Sequence, residues 1–247
     1  MSADKSPCAS CCRDVASVRI MNRFVFLGAP GVGKGSFTSI IAPQLGLATI
    51  GVGDLVRDEV KRGTAIGKEL KAFSDKGQLA PDEYINELVM RRLEQPDAAQ
   101  GFILDGFPRN LRQAAWLESA KIRIDRVVNI TLPEWVTVKK ISARRSCPEC
   151  RKSFNVADVN KADGYVMPKI LPDFEGCERG ARCPGSLEKL ERREDDTEEI
   201  IRERLSVYRS ETAPLIDFYG SKGLLRNFPV RRGIKDKDEL VDLMSAE

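Results

Sequence analysis

Residues 28–36 read GAPGVGKGS, directly behind the apolar run Phe24–Leu27. Closely spaced glycines let successive backbone N–H groups turn toward one anion, and a helix opening there adds the positive end of its dipole. Lys34 supplies a mobile cation. Strand, glycine loop, lysine and helix start stand in the order of the phosphate-binding pattern G-x-x-x-x-G-K-[ST]. Gly31, Val32, Gly33, Lys34, Gly35 and Ser36 are therefore candidate contacts for a polyphosphate. One position departs: Gly35 stands where the pattern has a hydroxyl, and Ser36 comes one residue late.

The remaining chemistry is bounded by composition. A chain of 247 residues with no histidine has no Ser-His-Asp or Cys-His nucleophile and no imidazole acid, base or metal ligand. The seven cysteines fall in two groups, Cys8, Cys11 and Cys12 near the N-terminus and Cys147, Cys150, Cys177 and Cys183 downstream. No apolar signal core accompanies them, so a reducing compartment and one metal site are expected rather than a disulfide framework. Cys147-Pro-Glu-Cys150 with the later pair offers four thiolates for a tetrahedral, structural Zn2+; free thiols or a redox-sensitive pair are the other readings. A net charge of +3 with interspersed signs argues against a dedicated nucleic-acid binder. No apolar stretch is long enough for a membrane span.

The elements that must position these residues follow from periodicity. Runs at 23–28, 47–52, 101–107, 126–132 and 224–230 read as strands, and helical spacing marks 35–45, 81–93 and 111–119. Their alternation predicts an α/β fold, a parallel five-stranded sheet flanked by helices, with ligands at the carboxyl ends of the strands. Pro81 is expected in the first turn of its helix. Residues 146–187 break the rhythm, rich in Cys, Pro, Gly and charge, in the manner of an inserted lid or subdomain. A long helix is expected after them, opened by Asp196-Thr-Glu-Glu199 as a capping box. Residues 1–22 lack periodicity and read as a disordered leader; Arg13 and Arg19 favour a targeting segment, and Asp4 and Asp14 oppose it.

Two motifs together resemble one family. GAPGVGKGS is similar to G-x-P-G-x-G-K-G-[ST], and GFILDGFPRN (101–110) to G-F-[IL]-L-D-G-[FY]-P-R, the signatures of adenylate kinase, a nucleoside monophosphate kinase, in its long-lid form. GDLVR (53–57), GQLAPDE (77–83), ARR (143–145) and RREDDTEEIIRERL (192–205) resemble further segments of that family, in the same order. The resemblance implies a phosphate-loop core of 23–143 and 197–247, an AMP-binding segment 51–81, and a lid 144–196 that closes to exclude water. The implied reaction is reversible, Mg2+-dependent phosphoryl transfer from ATP to AMP, giving two ADP. Implied donor contacts are the phosphate loop, Arg144, Ser153, Phe154 and Lys235. Implied acceptor contacts are Val52, Arg57, the backbone of Gln78, Leu79 and Ala80, Gly106, Arg109, Arg193 and Arg204, with Gln113 reading the AMP base. Lys34, Arg109, Arg144, Arg193, Arg204, Asp195 and Asp196 are the implied catalytic set. Asp54 and Asp105 would hold magnesium through water. The acceptor phosphate is already an anion, so no general base is required.

The chain also departs from the family pattern. Val52 stands where threonine is usual, and Lys140 where a lid-proximal arginine is common, keeping the charge but losing the fork. Five residues separate Cys177 from Cys183, a wider gap than the family's, which leaves Asp173 as an alternative fourth ligand. The competing readings are a GTP:AMP phosphotransferase, another nucleoside monophosphate kinase, and a catalytically inactive nucleotide-binding or zinc-ribbon regulator. The long lid argues against a UMP/CMP kinase. A monomer in the cytoplasm is expected, with a mitochondrion or other organelle as the alternative.

Overall fold

The computed structural model describes residues 22–148, 153–160, 164–172, 190–193 and 196–246. Its sheet strands, in chain order, are β1 (Arg23–Leu27), β2 (Ala48–Gly51), β3 (Phe102–Asp105), β4 (Arg126–Thr131) and β5 (Leu225–Pro229). They pair in the order β2-β3-β1-β4-β5, parallel throughout. A sheet of this kind is covered on both faces, so its strands read as continuous apolar runs. Alternate residues feed two cores. Val25, Leu104 and Val127 join one with Leu88 and Leu117; Phe26, Ile103 and Val128 join the other with Phe37, Ile41 and Leu240.

The helices are α1 (Lys34–Gln44), α2 (Val52–Arg62), α3 (Ala65–Ser74), α4 (Asp82–Leu93), α5 (Leu111–Ser119), α6 (Glu134–Ser142), α7 (Glu198–Val207), α8 (Pro214–Ser221) and α9 (Lys237–Ser245). Strands and helices lie within a residue or two of their expected places. Pro81 is one residue earlier than expected, capping α4 rather than opening it. The register places Asp105 opposite both Phe26 and Gly51. The carboxyl ends of β1, β2 and β3 therefore stand side by side, and the phosphate loop rises from β1, the middle strand of the five.

Two expectations about the helix after the lid are corrected. Its cap is Thr197, whose hydroxyl accepts from the Ile200 N–H at 3.3 Å. Asp196 is instead fully buried and its carboxylate faces arginines. The helix is also not continuous. After α7, Tyr208–Thr212 form a π-helical turn before α8 starts at Pro214; a proline has no N–H with which to extend the preceding ladder. The Thr212 hydroxyl of that turn donates to the Arg109 carbonyl at 2.7 Å.

Within 144–196, Arg144–Ser146 pairs antiparallel with Ser153–Asn155, and Val159–Asn160 with Val166–Met167. The second hairpin is fastened to the core. Val159 and Met167 are buried with Phe228 and Val230, and the Val166 N–H donates to the Arg231 carbonyl. Lys140 lies beneath it, buried, its ammonium directed at the carbonyls of Ala157 (3.2 Å), Met167 (3.4 Å) and Pro168 (3.5 Å). The cation expected near the lid thus tethers backbone, and burial lowers its pKa. The leader expected over residues 1–22 lies outside the described residues except for Asn22.

Close packing around the loop gives a test. At Gly31 (φ +87°) a Cβ would fall 2.2 Å from the Ile141 side chain. Gly31→Ala is expected to cost about 2–4 kcal/mol through backbone strain and overpacking. The urea midpoint should fall at unchanged slope; an unaltered midpoint contradicts this packing.

Candidate active site

The loop between β1 and α1 closes on its own lysine. Lys34 Nζ donates to the carbonyls of Gly28 (2.7 Å) and Ala29 (3.0 Å). A Cβ at Gly35 would lie 3.2 Å from Asp105 Oδ2, so the carboxylate at the end of β3 stands close beside that position. Burial raises the Asp105 pKa, against the pull of Lys34 and Arg109. Burial lowers the Lys34 pKa to about 8; Asp105 opposes this, while Arg109, Arg204 and Arg144 add to it. Four cations drawn from distant segments therefore act on one another at the loop.

Their anchors differ. Arg109 Nε donates to the Gly106 carbonyl at 2.9 Å. Arg144 forks onto the buried Asp196, with Nε 2.8 Å from Oδ2 and the second contact made by Nη2 to Oδ1. Arg204 approaches the same carboxylate at 3.7 Å, and Arg192 donates to the Asp196 carbonyl at 2.6 Å. Arg193 reaches Ser146 (3.4 Å) and Ser153 (3.2 Å) across the first lid hairpin. The cluster thus ties the lid's entry strand to α7. Arg192 was not singled out in the sequence; it meets a backbone carbonyl where its neighbour Arg193 meets side-chain hydroxyls.

Between α2, α3 and the carboxyl end of β3 lies an open cleft. Val52, Arg57, Gln78, Leu79 and Ala80 line one side, and Gly106, Arg109, Gln113 and Arg204 the other. Every expected acceptor contact is therefore in this lining except Arg193. Arg57 pairs with the exposed Asp54. Gln113, buried in the first turn of α5, accepts from the Arg109 N–H at 2.7 Å and donates to Asp82 Oδ1 at 2.8 Å. Asp82 was missed in the sequence reading: a carboxylate in a first helical turn reads equally as a dipole partner.

On the donor side Ser153 is exposed and Phe154 half-buried. Lys235 is exposed in the turn Gly233–Asp236, which Asp236 shapes by accepting from the N–H groups of Arg231 (2.7 Å) and Arg232 (2.8 Å). Cys147 is buried at the end of the first lid strand. Cys150, Cys177, Cys183, Asp173 and Asp195 lie outside the described residues, and among the described residues no metal-ligating cluster of three or more forms. No described helix is long and apolar enough to cross a membrane.

The lowered Lys34 pKa has a signed consequence. Only the ammonium binds phosphate well, so binding must take up a proton wherever the free loop holds the amine. Triphosphate affinity should weaken roughly tenfold from pH 7 to pH 9 as Lys34 titrates near 8. Lys34→Arg, which cannot titrate there, should lose that dependence. Calorimetric titration across pH reads it, and a flat wild-type profile contradicts it.

A family profile described as "Adenylate kinase" matches residues 26–224. Among characterised proteins, "Adenylate kinase" of Solanum tuberosum is 44% identical over 221 residues, covering 87% of this chain and 73% of the relative. "Adenylate kinase" of Archaeoglobus fulgidus is 41% identical over 205 residues, covering 81% and 87%. "GTP:AMP phosphotransferase" of Plasmodium falciparum is 40% identical over 225 residues, covering 90% and 95%. A cation-lined loop beside a separate acceptor cleft, on this sheet order, agrees with those likenesses: the chain belongs to the adenylate kinase family of nucleoside monophosphate kinases.

Proposed function

We propose that this chain transfers the terminal phosphoryl group of ATP to AMP, reversibly, through the residues assembled above. The observation that carries the residue assignment is the convergence of Arg109, Arg144 and Arg204 on Lys34 beside the cleft. Two polyanions must be held in line against mutual repulsion, and the transition state spreads charge over the moving group's oxygens. Backbone N–H groups of the loop receive the donor phosphates, and Lys34 exchanges the Gly28 and Ala29 carbonyls for phosphate oxygens. Arg57 and Arg109 hold the acceptor phosphate. Arg144 and Arg204, aimed by Asp196, neutralise the transferring group, while Arg193 follows the lid. Gln113 faces the acceptor base. No residue has to remove a proton from the nucleophile, because the acceptor phosphate is already ionised at neutral pH.

The residues present fit a divalent cation. A half-buried carboxylate with a raised pKa faces the loop at Asp105, and water held by Mg2+ would stabilise its ionised form. Asp105, with Asp54 farther out, would hold the ion, which when bound neutralises charge on the phosphates. Zinc is proposed as a structural ion of the lid, on Cys147, Cys150, Cys177 and Cys183, with Asp173 as the alternative fourth ligand. The buried position of Cys147 supports it. A second reading takes GTP as donor: Phe154 offers a ring to any purine, and the Plasmodium relative carries that name. A monomer in a reducing compartment, the cytoplasm or an organelle, is proposed.

An assay crossing ATP and GTP with AMP, GMP, UMP and CMP should show ADP formed fastest from ATP plus AMP; no product from that pair sinks the proposal. Arg109→Lys keeps charge but loses the fork, and kcat should fall about 10²–10³-fold. A change within threefold removes Arg109 from the role. Purified protein should carry one zinc per chain, lost in Cys147→Ser; metal-free wild type defeats the lid ion.

A further inference from the structure

We infer that Asp82 determines which acceptor base the enzyme selects, by fixing which way round the Gln113 carboxamide stands. This rests on the reading of Gln113 as facing the acceptor base. A primary amide is nearly symmetric in shape and opposite in hydrogen bonding at its two ends, so turning it by half a rotation exchanges donor for acceptor. Two neighbours forbid that turn. Asp82 Oδ1 receives Gln113 Nε2 at 2.8 Å, and an ionised carboxylate can only accept. On the other side, the Arg109 N–H meets Gln113 Oε1 at 2.7 Å and can only donate.

Asp82 is itself held in place. Its Oδ1 also accepts from Asn110 Nδ2 at 2.9 Å, and Arg112 Nε lies 2.9 Å from Oδ2. Asn110 caps α5, its side-chain oxygen accepting from the Gln113 N–H at 2.8 Å. The first residue of α4 and the first turn of α5 thus form one bonded unit, sealed from solvent at Gln113.

Beyond these bonds the carboxamide keeps one N–H and one oxygen lone pair, and Gln113 lines the cleft. In the held orientation it complements an edge with an amine donor beside a ring-nitrogen acceptor. Adenine has that edge. Hypoxanthine and guanine present the reverse, a carbonyl acceptor beside an N–H donor. To read them the amide must turn, setting its oxygen against the Asp82 carboxylate and its NH2 against the Arg109 N–H. Both new contacts are repulsive, and selectivity of this kind comes from a penalty on the wrong partner. Val52, in the same lining, has no hydrogen bond to add. The lock on Gln113 therefore carries the discrimination, and Asp82 acts as a positioning residue.

The probe is inosine monophosphate, which differs from AMP by this edge reversal. Wild type should favour AMP over IMP by about 10²-fold or more in kcat/KM. Asp82→Asn, whose amide can offer either end, should reduce that preference roughly tenfold or more, with KM for ATP unchanged. A residue needed only for structure would worsen AMP and IMP together. Asp82→Ser, whose hydroxyl both donates and accepts, is the second variant should Asp82→Asn melt below assay temperature. Wild type that turns over AMP and IMP equally, or variants that keep the wild-type preference, overturn the inference. Wild type inactive on ATP plus AMP overturns the acceptor reading instead.

Discussion

Like charges drawn together beside one lysine are the constraint on which this structure turns. The repulsion of Arg109, Arg144 and Arg204 is felt at Lys34, at the carboxyl end of the sheet. Two carboxylates offset part of it: Asp105 beside the loop and the fully buried Asp196 behind Arg144 and Arg204. Phosphates arriving at the centre would add to that balance. Binding energy and catalytic charge stabilisation then come from the same source, because the cations are placed before the nucleotides arrive.

The scaffold is arranged to hold that cluster. Register alone brings Gly51, Asp105 and the end of β1 level, so the phosphate loop and the acceptor cleft share a wall. Asp105 stands close beside Gly35, the position where the common loop pattern has its hydroxyl. The π-helical turn at Tyr208–Thr212 bonds to the Arg109 carbonyl, linking the helix that carries Arg204 to the strand end that carries Arg109. Lys140 and the hairpin it tethers, Val159–Asn160 with Val166–Met167, are fastened to the core. The strand Arg144–Ser146, by contrast, is joined to the start of α7 through Arg144 and Asp196.

The sheet and its helices could be read from the sequence because parallel strands are apolar on both faces and amphipathic helices carry their own period. The residues that line the cleft were equally readable, since they cluster in short motifs. Side-chain partnerships were not. Asp196 looked like a helix cap because D-x-x-E is a local pattern, yet its partner Arg144 lies far away in sequence. Asp82 carried no signal because the residues it holds, Asn110 and Gln113, belong to another motif. Lys140 kept its charge, as expected, but which carbonyls it meets depends on a hairpin with no strong periodicity. Residue types declare capacity; only the fold decides which opposite group is met.

One chain is proposed to hold two nucleotides, their phosphates meeting over a single cation cluster. ADP is both products of the forward reaction, so titration calorimetry with ADP and Mg2+ counts the two sites at once. Two ADP should bind per chain. A stoichiometry of one would contradict it.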